Sequence, residues 1–234
     1  LSLEQGAKVV AHRSAAVRAV TGFGGMALVE RPVTEVEEIL KAYDGRLSVA
    51  AVNTPGSTVV SGESEAIDAL VADLAQQGVF CRRVNVDYAS HSAQMDPLLP
   101  GLAEEFADLT PGRASVPFYS TVLGRVLDGP ELDGAYWCRN LREPVRFDRA
   151  LEQLLGDGRN VFIEVSAHPV LAMPLTDGSA EHGGVVVGSL ARNEGGLDQL
   201  LKSLGQLHVQ GVDIDWTKVL GEGGSPVTDL PTYA

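Results

Sequence analysis

The sequence predicts an α/β fold that carries a ferredoxin-like βαββαβ unit, and three observations lead there. Apolar residues follow a helical period in some segments and alternate or run together in others, so both element types are present. Over residues 26–87 these segments succeed one another in the order β-α-β-β-α-β, the split βαβ arrangement. Beyond residue 88, strands and helices alternate, which is the pattern of an α/β layer with a largely parallel sheet.

Residues 1–20 read as a helix with Leu3, Val10, Val17 and Val20, at offsets of seven and three, on one face. Arg13 falls on that same face. A guanidinium within an apolar stripe must meet an anion or a water-filled cleft, because burying it alone is costly. Residues 26–30 form a strand. The segment 33–43 is a helix opened by a capping box, Thr34-x-x-Glu37, with Val36, Ile39, Leu40 and Tyr43 facing inward. Two strands, 46–53 and 57–62, are joined by the turn residues Asn53-Thr54-Pro55-Gly56. A second helix, 64–78, offers Ile67, Leu70, Val71 and Leu74 to the core, and the strand 79–86 closes the unit.

After the unit, 95–109 reads as an amphipathic helix with Met95, Leu98, Leu102, Phe106 and Leu109 inward. Strand 116–122, helix 147–155, strand 160–166, short helix 169–175 and strand 184–190 follow. A last helix, 197–211, leads into 212–216 and an irregular tail, too poor in apolar residues to fold alone and expected to lie along another surface.

Composition narrows the class. A chain of 234 residues buries roughly 70–75% of its unfolded surface and needs no staple. Hydrophobic residues make up 44% and recur throughout, which excludes intrinsic disorder. No apolar run is long enough to span a bilayer and no basic-then-apolar signal segment opens the chain, so a cytoplasmic protein without a membrane partner is expected. Cys81 and Cys138, without a CxxC or paired histidines, give neither a disulfide framework nor a metal site. Acidic residues outnumber basic ones 31 to 18, a net charge of −13 that argues against nucleic acid.

Several motifs carry little chemistry. Gly22-x-Gly24-Gly25 follows a helix and precedes a strand, the reverse of a nucleotide loop, and reads as a turn. His168, stiffened by Pro169, reads as a structural turn histidine; His12, His182 and His208 fall on exposed or loop positions. Arg139, Arg142, Arg146 and Arg149 form a basic run that Pro144 breaks up, and it reads as solvated surface. No G-x-S-x-G nucleophile elbow occurs in the 234 residues. The most informative stretch is Asp87-Tyr88-Ala89-Ser90-His91-Ser92, between a strand end and a helix start. A histidine there feels a positive helix dipole, which favours the neutral imidazole of a general base. A surface helix-capping segment is the other reading of these residues.

Five separated stretches carry a resemblance: VVAHRSAAVRAV at 9–20, YASH at 88–91, YWCRNLREPVRF at 136–147, FIEVSAHPVL at 162–171 and the closing DLPTYA. Together, and in order along essentially the whole chain, they resemble the acyltransferase domain of modular type I polyketide synthases. The resemblance implies an α/β-hydrolase-like acyltransferase core, incomplete at its N-terminus, with the ferredoxin-like subdomain inserted at 26–87. Residues 1–25 and 88–191 would belong to the large subdomain. Residues 192–234 would be the following linker, packing toward a ketosynthase.

It also implies a ping-pong reaction. A serine in a GHSxGE elbow, upstream of Leu1 together with an oxyanion glutamine and the first core strands, takes an acyl group from acyl-CoA. The group then passes to the phosphopantetheine thiol of an acyl carrier protein, with no permanently bound cofactor and no metal. His91 matches the family's base, and Asn140 matches the position whose backbone carbonyl holds that imidazole. Arg13 matches the arginine that grips the extender's free carboxylate. Tyr88, Ala89 and Ser90 set selectivity: YASH is associated with methylmalonyl and HAFH with malonyl units, and small Ala89 and Ser90 would leave room for the α-methyl group. Ala167 departs from the commoner SPHPVL. Without the serine, the piece alone is expected to be inactive. The alternatives are a non-catalytic docking or scaffold module, a malonyl-selective enzyme and an editing acyl hydrolase; Arg13 weighs against the last.

Overall fold

In the computed structural model, residues 1–221 are described; the closing DLPTYA and most of the expected irregular tail lie outside them. The elements in chain order are α1 (Leu3–Val17), β1 (Gly24–Val29), α2 (Val33–Leu40), β2 (Leu47–Thr54), β3 (Ser57–Glu63), α3 (Ser64–Gln76) and β4 (Cys81–Arg83). There follow α4 (Leu99–Glu105), β5 (Phe118–Ser120), β6 (Arg125–Leu127), α5 (Gly134–Arg142), β7 (Val145–Arg146) and α6 (Phe147–Gly156). The last are β8 (Val161–Glu164), α7 (Ala172–Ser179), β9 (Val185–Gly188), α8 (Leu197–Val209) and α9 (Trp216–Leu220). The described residues form two compact units: 1–160 with 177–182, and 161–176 with 183–221.

In the first unit the sheet order is β4-β1-β3-β2-β7. In the order β4-β1-β3-β2 each neighbouring pair is antiparallel, the ferredoxin-like arrangement. A tight Pro55-Gly56 turn joins β2 to β3, pairing Thr54 with Ser57. Helix α3 lays Ile67, Leu70 and Leu74 against the sheet residues Ala27, Val29 and Val60, and Val36, Leu40 and Tyr43 cover the same layer. Period-two strands and a 3.6-period helix meet on one apolar plane, so a one-residue slip of either would expose the whole set. The fifth strand, β7, joins in parallel at the β2 edge through Ala51↔Val145 and Val52↔Arg146.

Several expectations are corrected. Helix α1 does not use the Leu3 face: Leu3 is 86% and Val10 65% exposed, whereas Val9 is 4% exposed. The inward stripe is Val9, Ala16, Val17 and Val20, packed on Met95, Leu102, Phe106 and Leu141, with half-buried Arg13 on the same side. Period alone could not choose between adjacent valines. Arg13, four residues from Val9, stays on the buried side under either choice. The capping box is at Ser2 and Gln5, not Thr34 and Glu37: Ser2 Oγ accepts from the Gln5 amide, and Gln5 Oε1 accepts from the Ser2 amide. Thr34 lies inside α2, which Pro32 precedes without a side-chain cap.

The expected helix 95–109 is a 3₁₀ segment, Ala93–Leu98, running into the short α4. Pro97 and Pro100 remove two amide donors there, while the apolar set still packs inward. The parallel sheet foreseen beyond residue 88 is, in the second unit, the single pair β8–β9, with Phe162 and Val187 buried and Ser203 of α8 donating to the Gly188 carbonyl at 2.7 Å. The expected strand 116–122 is the shorter β5, which forms a hairpin with β6; β6 and helix α5 are additions to the expected elements. The 212–216 segment is irregular up to α9. Among the described residues no helix is long and apolar enough to cross a membrane.

The core placement predicts contrasting stabilities. Leu70→Ala should cost about 2–5 kcal/mol in chemical denaturation, and Leu3→Ala about 0.5 kcal/mol or less. Comparable losses at the two positions would contradict the assignment of the α1 face.

Candidate active site

Three segments converge. The first is α1, which presents Arg13. The second is residues 84–92, running from the end of β4 to the 3₁₀ segment. The third is the last turn of α5 with Glu143. Helix α5 starts at Asp133, whose carboxylate accepts from the Tyr136 amide at 2.8 Å, and it ends at Arg142. Pro144 sets that end, since the residue before a proline is driven out of the helical region; Glu143 is extended, at φ −84° and ψ 155°. The helix's final carbonyls are therefore left without intrahelical partners.

His91 takes them up. Its amide donates to the Leu141 carbonyl at 3.1 Å, and its Nδ1 lies 2.8 Å from the Glu143 carbonyl oxygen. A carbonyl only accepts, so Nδ1 carries the proton and Nε2 is the unprotonated nitrogen of the neutral ring. The structure thus corrects the role given to Asn140: the carbonyl that holds the imidazole belongs to Glu143. Asn140 instead accepts from Arg13 Nη1 through Oδ1 at 2.6 Å.

Burial is the main cause that lowers the His91 pKa to about 4; the Glu143 hydrogen bond opposes it and the Arg13 charge adds to it. Burial likewise lowers the Arg13 pKa, and Tyr88 opposes that shift. The His91 backbone is left-handed, at φ 63°, unusual for a residue with a side chain.

The loop before His91 is clamped by close packing. A Cβ on Gly24 would fall 2.5 Å from the Ala89 amide nitrogen and 2.7 Å from Ala89 Cβ, so only glycine fits. The glycine cluster is explained by this approach, with Gly22, at φ 87°, donating to the Asp87 carbonyl at 2.7 Å. Ser92 Oγ ties the loop back to the Ala89 carbonyl at 2.7 Å. Ala89 is fully buried, which corrects its assignment to the acyl pocket. Its neighbours Tyr88 and Ser90 line an open cleft of about 290 Å³ together with Arg13, Arg18 and Asp87. A larger cavity of about 640 Å³, beside the β2–β3 turn and α6, includes neither Arg13 nor His91.

The remaining candidates stay outside. Arg139, Arg142 and Arg146 are paired with Glu143, Asp96 and Asp148, so the basic run is largely neutralised. His168 is exposed, and the turn around it is organised by Glu164, whose carboxylate accepts from the Val170 and Leu171 amides. Among the described residues no group of three or more His, Cys, Asp or Glu side chains could hold a metal ion. The site can supply a neutral base beside a cation that has no carboxylate partner among the described residues.

The family model described as "Acyl transferase domain" matches residues 1–214, and the chain belongs to that family. The chain is 48% identical over its whole length to polyketide synthase GfsE of Streptomyces halstedii, of which it spans 6%. It is 47% identical to erythronolide synthase EryA2 of Saccharopolyspora erythraea, spanning all of this chain and 7% of that protein. The acyltransferase domain from module 8 of the salinomycin polyketide synthase superposes with a TM-score of 0.89 at 43% identity, covering 92% of this chain and 52% of that one. The domain from the second salinomycin module gives 0.88 at 32% identity, covering 99% and 54%. The chain thus spans a small fraction of the synthases and about half of the crystallised domains.

The His91 environment predicts its titration. Proton resonances of the ring, followed against pH, should give a midpoint near 4; a value near 6.5 would contradict the buried setting. The folded value lies below the unfolded one, so the unfolded chain binds the proton more readily. Stability linked to this group is therefore present above pH 6.5 and lost as pH falls toward 4.

Proposed function

We propose that the chain is part of an acyltransferase that loads an extender unit, methylmalonyl in preference to malonyl, from acyl-CoA onto the phosphopantetheine thiol of an acyl carrier protein. The observation that carries this reading is the convergence of Arg13 and His91 on residues 140–143 of one helix end. The nucleophilic serine is supplied by a segment outside residues 1–234, and this piece alone does not catalyse. Residues 1–25 and 88–191 belong to the large subdomain, 26–87 form the small one, and 192–234 link to a ketosynthase in a cytoplasmic synthase.

In the first half-reaction, His91 Nε2 takes the serine proton as Oγ attacks the thioester carbonyl. The C–S bond breaks, and the proton passes from Nε2 to the departing CoA sulfur. In the second, Nε2 takes the carrier thiol's proton, the sulfur attacks the acyl-serine ester, and the serine oxygen recovers the proton. The Glu143 carbonyl holds Nδ1–H throughout and steadies the imidazolium that forms in passing. Arg13 meets the free carboxylate of the extender, which favours dicarboxylic over monocarboxylic acyl groups. Tyr88 and Ser90 border the cleft and Ala89 does not. The HAFH alternative keeps the alanine and changes only those two, which supports a selectivity role for positions 88 and 90.

In the synthase that carries this segment, Arg13→Ala should reduce loading of dicarboxylic acyl-CoA by about 10–100-fold relative to monocarboxylic acyl-CoA. Equal loss on both would remove its assigned role. Tyr88→His combined with Ser90→Phe should shift the methylmalonyl-to-malonyl ratio, read by intact mass in equimolar competition, by roughly tenfold toward malonyl. An unchanged ratio would end the selectivity claim.

A further inference from the structure

Arg13 and Asn140 lie on different helices, 127 positions apart in sequence, yet approach to 2.6 Å. The acceptor is a neutral amide oxygen. Elsewhere on the same helix end the chain treats arginine differently: Arg139 lies 2.6 Å from Glu143, Arg142 2.5 Å from Asp96, and Arg146 2.6 Å from Asp148. Arg13 has no carboxylate within ion-pair distance among the described residues, although it is partly buried and its neighbours in the cleft include Asp87. A partly buried guanidinium held by a neutral group keeps its net charge uncompensated, at a cost in desolvation. The burial that lowers the Arg13 pKa is consistent with that cost.

We infer that Asn140 is a positioning residue for Arg13: its amide oxygen fixes the guanidinium at the cleft wall and leaves the positive charge to the carboxylate of the acyl group. The inference rests on the reading above that Arg13 binds that carboxylate. The choice of amide matters because one Nη is oriented by Asn140 while the other guanidinium N–H groups stay available for a two-pronged contact. A carboxylate at position 140 would orient Arg13 equally well but would form an ion pair that competes with the substrate. The same turn of α5 holds His91 through Leu141 and Glu143, so the amide also sets the clamp in register with the base.

The test uses the full synthase polypeptide, with kcat and KM measured for methylmalonyl-CoA and for propionyl-CoA. Asn140→Asp should lower the ratio of their kcat/KM values by about tenfold or more, chiefly through the KM of methylmalonyl-CoA. Asn140→Ala, which loosens the guanidinium without neutralising it, should lower the same ratio by about threefold. A parallel fall for both substrates in both variants, with the ratio unchanged, would reduce Asn140 to a structural residue and overturn the inference. Arg13→Ala is measured alongside. If it collapses the ratio while neither Asn140 variant moves it, the positioning role fails alone; if it leaves the ratio intact, the Arg13 reading itself has failed.

Discussion

A proline fixes where this site can be. Pro144 forbids helical geometry at Glu143, so α5 stops at Arg142 and its last carbonyls turn outward without partners. The chain then docks as β7 on the edge of the ferredoxin-like sheet through two residue pairs. The orphaned carbonyls are thereby held between a helix anchored by the Asp133 cap and a strand anchored in the sheet. His91 accepts this geometry at two points, its backbone amide on Leu141 and its ring on Glu143. A side-chain acid is unnecessary, because a rigid carbonyl can select the tautomer and orient the ring as a carboxylate would, without adding a charge beside Arg13.

That arrangement carries strain and electrostatic cost. A left-handed backbone at a residue with a Cβ costs on the order of 1–3 kcal/mol, and each hydrogen bond contributes about 1 kcal/mol in return. The two contacts at His91 offset the strain only if the loop entering it is already fixed. Gly24 does that by letting the Ala89 backbone approach closer than any side chain would permit. The ferredoxin-like sheet thus reaches the site twice, through Gly24 at the start of β1 and through β7 at its edge. Burial and the nearby Arg13 then both favour the uncharged ring, whose Nε2 is free to accept a proton.

The parts of this molecule that were legible in sequence are those written in side chains. Ile67, Leu70 and Leu74 declared one face of α3, and all three are buried. Arg13 was conspicuous because a guanidinium had no reason to interrupt apolar spacing, and His91 because of the motif around it. The α1 face was misjudged because Val9 and Val10 are adjacent and periodicity weights them alike; only the partner surface of Met95 and Phe106 decides. Helix α5 is hard to read from sequence because it is short and polar on average, and its inward set of Tyr136, Cys138 and Leu141 is framed by charged and amide residues. The Glu143 carbonyl was invisible for a different reason. A backbone group has no residue signature, and the one signal for it was Pro144 after a helical stretch.

The same distinction separates positions 88, 89 and 90. Tyr88 and Ser90 line the cleft and Ala89 is fully buried, so the residues of Tyr88-Ala89-Ser90 do not all serve one pocket. Ala89 is small because Gly24 lies against it, and Ser90 sits beside the cleft bordered by Tyr88 and Arg13. Enlarging Ala89 would push on the sheet and, through it, on the backbone of His91. Ser90 is itself buried at 8% exposure but lines the cleft, so a larger side chain there would reduce the cleft's volume. If the proposed selectivity role holds, positions 88 and 90 are free to vary while position 89 is held constant by packing. Under the proposed function, a cleft so built changes the acyl group it accepts without disturbing His91.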